Sequence, residues 1–600
     1  MYLLMRLEGL RHPPALIGAI AFEMMPKFFG HYGAGHVTLL YAVSWTPWLL
    51  YAARKRITEP CHHFTHILEA LVMAAICLAD IRWTIYAGAA WWIYCLAVIY
   101  RGGIQRRIVF FRQGVFLTLQ TCLAALLSAI LWVPMLEFLP LSSRLGLTSQ
   151  DTFIYSLPPS RLLGLVFPDL GGFHEWIVYS GVLVFSLSLL AVVYQWSKRE
   201  VRFWFLFAVG AWIFALGAHF PVLHFIARLP GFSLLRVPSR SLFLSGMSLA
   251  ILAAYAIQHI TSSVSDRDQK WSARFLVGLN GFVLIFLTGL GWVSQKIPGE
   301  FLLGGVLLLA GSLWIWMKVR SRVGNTVWLV GVLGLCLLDW GAIDSSVFTI
   351  RSKDQVFSEG SSMAGELSKV PGDFRVYSPS YSLPQQTAAN FDLQLSDGVD
   401  PLQLQAYVDF MQMASGVPLQ GYSVTLPPFA TGNPPTDNAA YAPNARLLGW
   451  LNVQFVAAEY DLDSQGLELR GRFGETRLYE NLQVLPRAWV QPSDTEIGTD
   501  AQPVDDIEWS PERIEIVADG PGLLVLSELN YPGWRVQIDG ESAQIQEVGQ
   551  LLRGVILKPG RQKVIFHFLP ASLFWGASLC LLGIGLCILI YRANWNPNRE

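Results

Sequence analysis

Two arginines, Arg236 and Arg240, bracket Val-Pro-Ser just ahead of a long apolar run. A guanidinium pair beside a helix N-terminus suits a phosphate, through bidentate hydrogen bonds and the helix dipole. The competing reading is that long basic side chains merely anchor the end of a span. Asp169, His174 and Glu175 share one loop ahead of Trp176. A carboxylate or imidazole there could move a proton or hold a metal, or could simply cap the following helix. His31 and His36 close the turn His31-Tyr-Gly-Ala-Gly-His36, whose glycines admit a ligand close to the backbone. Read plainly, they are interfacial rings.

Other polar groups read more simply. Glu23 and Lys27, four residues apart, are expected as a buried pair on one helix face. Glu137 and Arg144 are expected as an ion pair at the end of a span. Cys61, His62, His63 and His66 have metal-binding types, but their spacing fits no zinc pattern, so a polar loop is expected. Asp266 with Asp268 and Asp461 with Asp463 read as solvated turns. Trp534 alternates with Val536 and Ile538, which favours core packing over stacking on a sugar ring. No phosphate-cradling GxxxxGK[ST], no HExxH and no GxSxG is present. No cofactor and no metal site is therefore assigned, with a divalent metal left open.

The elements that position these residues follow from composition. Of 600 residues, 53% are hydrophobic and only 14% charged, and mean hydropathy is +0.40. Soluble domains carry about 25% charge. A net charge of -1 without a basic stripe argues against nucleic-acid binding. The seven cysteines all lie in or beside apolar runs, none in 344–570, which excludes a disulfide framework there.

Crossing a membrane takes about 20 apolar residues. Twelve spans are expected, at 14–29, 37–53, 64–79, 83–100, 114–136, 176–196, 203–218, 241–260, 275–293, 301–317, 327–342 and 571–591. Basic residues alternate between their loops. One set holds Arg54, Lys55, Arg56; Arg101, Arg106, Arg107, Arg112; Lys198, Arg199, Arg202; Arg267, Lys270, Arg274; Lys318, Arg320, Arg322; and Arg592. The positive-inside rule places that set and both termini in the cytoplasm. The segments 138–175, 219–240 and 344–570 then face outward.

The expected fold class is a polytopic α-helical membrane protein of about 12 transmembrane helices, with an external α/β plus β-sandwich domain before the last helix. Its divisions are a multi-span region 1–343, a mixed α/β domain 344–503, a β-sandwich-like domain 504–570, the span 571–591 and a cytoplasmic tail 592–600. The β assignment rests on alternation at Ile514 and Ile516, at Trp534, Val536 and Ile538 with Asp539-Gly540 after them, and at Val564, Phe566 and Phe568.

Several motifs occur in one order along the chain. They are Arg161-Leu-Leu-Gly-Leu-Val-Phe-Pro-Asp-Leu-Gly171, His174-Glu175, Tyr179-x-Gly181 and Leu229-Pro-Gly-Phe-Ser-Leu-Leu-Arg236-Val-Pro-Ser-Arg240. They continue with Leu447-Leu-Gly-Trp-Leu-Asn-Val453, Tyr479-Glu-Asn481, Leu485-Pro-Arg-Ala-Trp489 and Tyr531-Pro-Gly-Trp-Arg535. Together they resemble the YfhO family of bacterial membrane proteins, multi-pass in the cytoplasmic membrane. The resemblance implies a GT-C-type architecture, a polyprenyl-phosphate sugar as donor and an envelope glycan or polymer as acceptor on the outer face. Read with it, the residues above place expected phosphate or substrate contacts at Arg236, Arg240, His174 and His36, and catalytic candidates at Asp169 and Glu175. The family begins with further spans and a large first external loop that carries the catalytic acid. This sequence starts at Met1-Tyr-Leu-Leu-Met-Arg, which matches the end of a later helix, so an N-terminal truncation is expected. A non-catalytic, membrane-anchored component of envelope polysaccharide machinery is the alternative expectation.

Overall fold

In lipid every backbone polar group needs an internal partner, so long apolar runs must become helices. The computed structural model describes residues 1–58, 65–101, 107–147, 149–168, 172–226, 236–262, 264–294, 298–419 and 421–594. Among them, six helices are long and apolar enough to cross a membrane: Ile81–Tyr100, Pro238–Ser262, Asp266–Trp292, Phe301–Val319, Asn325–Val347 and Ala571–Arg592. The protein is therefore mostly helical with a β-rich region toward its C-terminal end, and the expected count of about twelve spans is not confirmed among the described residues.

The departures have local causes. The stretch 14–29 is two helices, His12–Glu23 and Pro26–Gly33. Pro26 holds Met25 in extended backbone at ψ 137° and the helix cannot run through. The break also undoes the expected Glu23–Lys27 pair, since Glu23 is exposed and Lys27 buried. The stretch 114–136 is bent by 75° between Phe111–Leu127 and Ala129–Leu141. At the break the Ser128 hydroxyl donates to the Ala124 carbonyl oxygen at 2.8 Å, competing with the helix's own ladder. The expected spans 64–79 and 176–196 appear as the shorter apolar helices Ile67–Ala79 and Val182–Gln195.

The chain divides into two compact units. The first comprises Met1–Trp132, Thr148–Thr349 and Ala577–Glu600. Its hub is the helix Leu242–Ser262, buried along nearly its whole length. Val182–Gln195, Arg199–Ala215 and His12–Glu23 pack around it. The small residues Gly246, Ala250, Ala253 and Ala254 along this helix suit close helix–helix approach in lipid.

The second unit comprises Val133–Leu147 and Ile350–Gly576. A five-stranded sheet runs in the order Gln394–Leu395, Arg375–Tyr377, Val453–Ala458, Thr476–Asn481, Leu467–Phe473. A sheet of eight strands is built on two 17-residue antiparallel strands, Arg513–Leu529 and Leu552–Phe568, with Ile514 opposite Phe566 and Ile516 opposite Val564. The strands within 504–570 share one hydrogen-bonded sheet, whose two long strands shift register between Gly520 and Gly522. It also takes in Ala488–Gln491, from before residue 504. Alternation divides its faces: Leu524 and Leu526 join one core, while Val525 joins the core that includes Tyr377 and Val456. Arg144 donates to the Pro401 carbonyl oxygen at 2.9 Å and stands over the Tyr422 ring, so the expected pair with Glu137 is not formed.

Candidate functional site

The site lies in the helical unit, where three chain segments converge. The first is the Pro26–Gly33 helix with the turn after it. Lys27 and His31 are one helical turn apart on it, and both are buried. The second is the one-turn 3-10 segment His174–Trp176, which places Glu175 inside with 1% of its surface exposed. The third is the 3-10 turn Pro238–Ser241 that opens the hub helix and carries Arg240.

Each segment is held by its own packing. Gly30 lets the first helix lie against the second segment: a Cβ there would stand 2.6 Å from Ile177 Cδ1. Behind Glu175, Gly181 has φ 101°, and a Cβ there would stand 2.8 Å from Trp340 Nε1. The Tyr179 hydroxyl donates to Asp339 Oδ1 at 2.7 Å, and the Val182 amide donates to Asp339 Oδ2 at 3.0 Å. The Tyr179-x-Gly181 motif thereby fastens the loop to the start of Val182–Gln195. In the third segment Val237 adopts φ 67° and ψ 71°. Tyr86, on the Ile81–Tyr100 span, donates to the Val237 carbonyl oxygen at 3.1 Å.

Glu175 is the centre. Its Oε1 accepts from Arg240 Nε at 3.1 Å, and its Oε2 lies 3.2 Å from His31 Nε2. Lys27 Nζ donates to the Glu175 carbonyl oxygen at 2.9 Å. His31 Nδ1 lies 3.0 Å from the Lys27 carbonyl oxygen. Three imidazoles gather at the open side: the rings of His31, His36 and His174 have centroids 5.0 to 5.4 Å apart. One ligand atom from each of His31, His36, His174 and Glu175 lies within 4.8 Å of the others. This is the group of residues here that could hold a metal.

The charges are unequal. Burial opposes ionisation of Glu175, but the hydrogen bond with His31 and the charge of Arg240 outweigh it and hold its carboxyl well below the usual range. Burial, reinforced by the charge of Lys27, pushes His31 down to about 3. Burial likewise brings His174 to about 4 and lowers His36. At neutral pH the cluster is one carboxylate among neutral imidazoles and an arginine.

An apolar cavity of about 430 Å³ adjoins it. Tyr86, Ile93, Phe207, Phe214, Ser241 and Leu244 are among its lining residues. Ser241 follows Arg240 directly, and Tyr86 holds the Val237 carbonyl, so two of the lining residues are tied to the arginine turn.

Of the sequence candidates, Glu175, His174, His36 and Arg240 come together. Arg236 is half-buried at the start of the same turn. Asp169 lies outside the described residues, as do Cys61, His62 and His63. Spacing alone does not reveal Lys27, Tyr86 or the central place of His31. The one available signal was the i, i+4 relation of Lys27 and His31.

No family model matches the chain, and no curated protein matches it. Among solved structures it resembles arabinofuranosyltransferase AftD from mycobacteria, at 11% identity and a TM-score of 0.39, over 93% of this chain and 49% of that one. A mutant of the same enzyme gives 11% identity and a TM-score of 0.40, over 94% and 51%. The chain spans about half the length of these structures.

Proposed function

We propose that the protein is a GT-C-type glycosyltransferase of the YfhO kind, taking a sugar from a polyprenyl-phosphate carrier to an envelope glycan on the outer face of the cytoplasmic membrane. The observation that carries this reading is an apolar cavity lined by Ser241, the residue that follows Arg240, and by Tyr86, which holds the Val237 carbonyl. A polyprenyl tail needs an apolar slot between helices, and its phosphate needs fixed cations at the mouth. Glu175 takes the Nε of Arg240, which would leave the Nη edge of the guanidinium for an incoming anion. With both oxygens engaged and almost no exposure, Glu175 orients Arg240. Asp169, in the same loop, is the candidate base for the acceptor hydroxyl.

The test is the pair Arg236→Ala with Arg240→Ala in membrane vesicles supplied with a polyprenyl-phosphate sugar. Transfer to glycan should be abolished while the protein still inserts and accumulates. Unchanged transfer would remove the phosphate-clamp reading.

A second reading, a membrane-anchored glycan-binding component, is favoured by a groove in the β-rich unit. This groove, of about 530 Å³, is lined by Tyr407, Tyr531, Trp534, Asn530 and Glu547 among others. Aromatic faces with amide and carboxylate groups suit a sugar. Trp534 packs on the sheet core and also carries the Arg553 guanidinium 3.8 Å over its ring. Vesicles that bind glycan but never transfer sugar would favour this reading.

A further inference from the structure

We infer that His31, His36, His174 and Glu175 form a binding site for a divalent first-row transition metal, zinc by the chemistry of its donors. The inference does not depend on whether the chain transfers a sugar.

The first ground is convergence. Three imidazoles and a carboxylate come from two segments about 140 residues apart in sequence, yet offer one ligand atom each within 4.8 Å of one another. Three nitrogens and one oxygen suit a tetrahedral zinc, and the harder cations magnesium and calcium prefer all-oxygen shells.

The second ground is hydrogen-bond complementarity. The Lys27 carbonyl oxygen and the Glu175 carboxylate both only accept, and His31 faces one with each ring nitrogen, Nδ1 at 3.0 Å and Nε2 at 3.2 Å. A neutral ring carries one proton for these two acceptors, so one contact sets a lone pair against an acceptor. With the proton on Nδ1, a cation bound between Nε2 and Oε2 removes the conflict.

The third ground is support around the ligands. A metal-ligating imidazole commonly donates its other N–H to a backbone carbonyl, and a ligating carboxylate is held by a second hydrogen bond. His31 has the first through Lys27, and Glu175 has the second through Arg240. Lys27 Nζ is directed to the carbonyl oxygens of Glu175 and His174, so it leaves the carboxylate face open. Among the described residues His36 Nδ1 is buried with no hydrogen-bond partner, which fits a nitrogen whose lone pair is destined for a metal.

The test uses the full chain purified in detergent, stripped with chelator and titrated with Zn²⁺ alone, with metal content read by mass spectrometry. One equivalent should be retained after desalting. Co²⁺ in its place should give the visible absorption of a four-coordinate ion. His36→Ala and His174→Ala should each weaken retention at least about tenfold. His36→Gln covers the case in which the alanine variant does not fold. Wild-type protein that retains no stoichiometric metal overturns the assignment. So does a His36→Ala/His174→Ala double variant that retains it fully, since that metal would be adventitious only. Sugar transfer is assayed separately, so loss of the glycosyltransferase reading leaves this result standing, and the converse holds.

Discussion

Each unit of the molecule holds a carboxylate between basic groups, and the two arrangements do different work. In the β-rich unit Glu528 accepts from Arg375 at 2.8 Å and from Arg487 at 2.6 Å. Arg375 also reaches the carbonyl oxygens of Leu451 and Ser527. It thereby ties the five-stranded sheet to a long strand of the eight-stranded one. Those contacts point at protein, and the group acts as a staple. In the helical unit Glu175 likewise meets Arg240 and His31, but His36 and His174 bring a ligand atom each within 4.8 Å of those of Glu175 and His31. A buried carboxylate between cations is thus not a site in itself. Lone pairs that converge without an answering donor mark one.

That contrast breaks most sharply at the two glutamates. Glu175→Gln should lower transfer in vesicles at least about 100-fold, because it releases Arg240 and weakens charge stabilisation. Glu528→Gln should leave the rate per folded molecule nearly unchanged. An equal loss in both would erase the distinction. Next in size, Glu528→Ala should destabilise by about 2–3 kcal/mol in chemical denaturation, since it strands two arginines. Retained stability would mean the staple is ornamental.

A smaller effect sharpens the picture of the β-rich unit. Burial pushes the carboxyl of Asp397 up to about 7, against the opposing hydrogen bond from the Ser378 amide at 2.8 Å. The folded state then binds its proton more tightly than the unfolded state, whose carboxyl titrates near 3.8. This contribution is fully present below the unfolded pKa and is lost as pH rises through about 7. Denaturation midpoints should therefore fall between pH 5 and pH 8, and Asp397→Asn should flatten that slope. A slope unchanged by the substitution would assign the pH effect elsewhere.

The long apolar helices were legible because hydropathy acts residue by residue. Broken ones were not. Pro26 and Ser128 interrupt runs whose composition alone looks continuous. The same interruption at Pro26 changed the partner of Lys27 from Glu23 to the backbone of Glu175. At the site, His36, His174, Glu175 and Arg240 stood out because charged or titratable groups near span ends are unusual. Their convergence was not legible, because it depends on how distant segments pack. Tyr86 was hidden within an apolar helix, where an aromatic residue draws no notice.

Val237, a branched residue held at φ 67°, sits one turn ahead of the arginine that Glu175 positions. Left-handed backbone at such a residue is disfavoured by roughly 1–3 kcal/mol. Glycine would relieve it and also free the turn. The Val237 side chain is buried, so glycine would give up that packing as it relaxed the backbone, and the turn would hold Arg240 less firmly. Backbone strain and side-chain packing pull against each other at a single peptide unit.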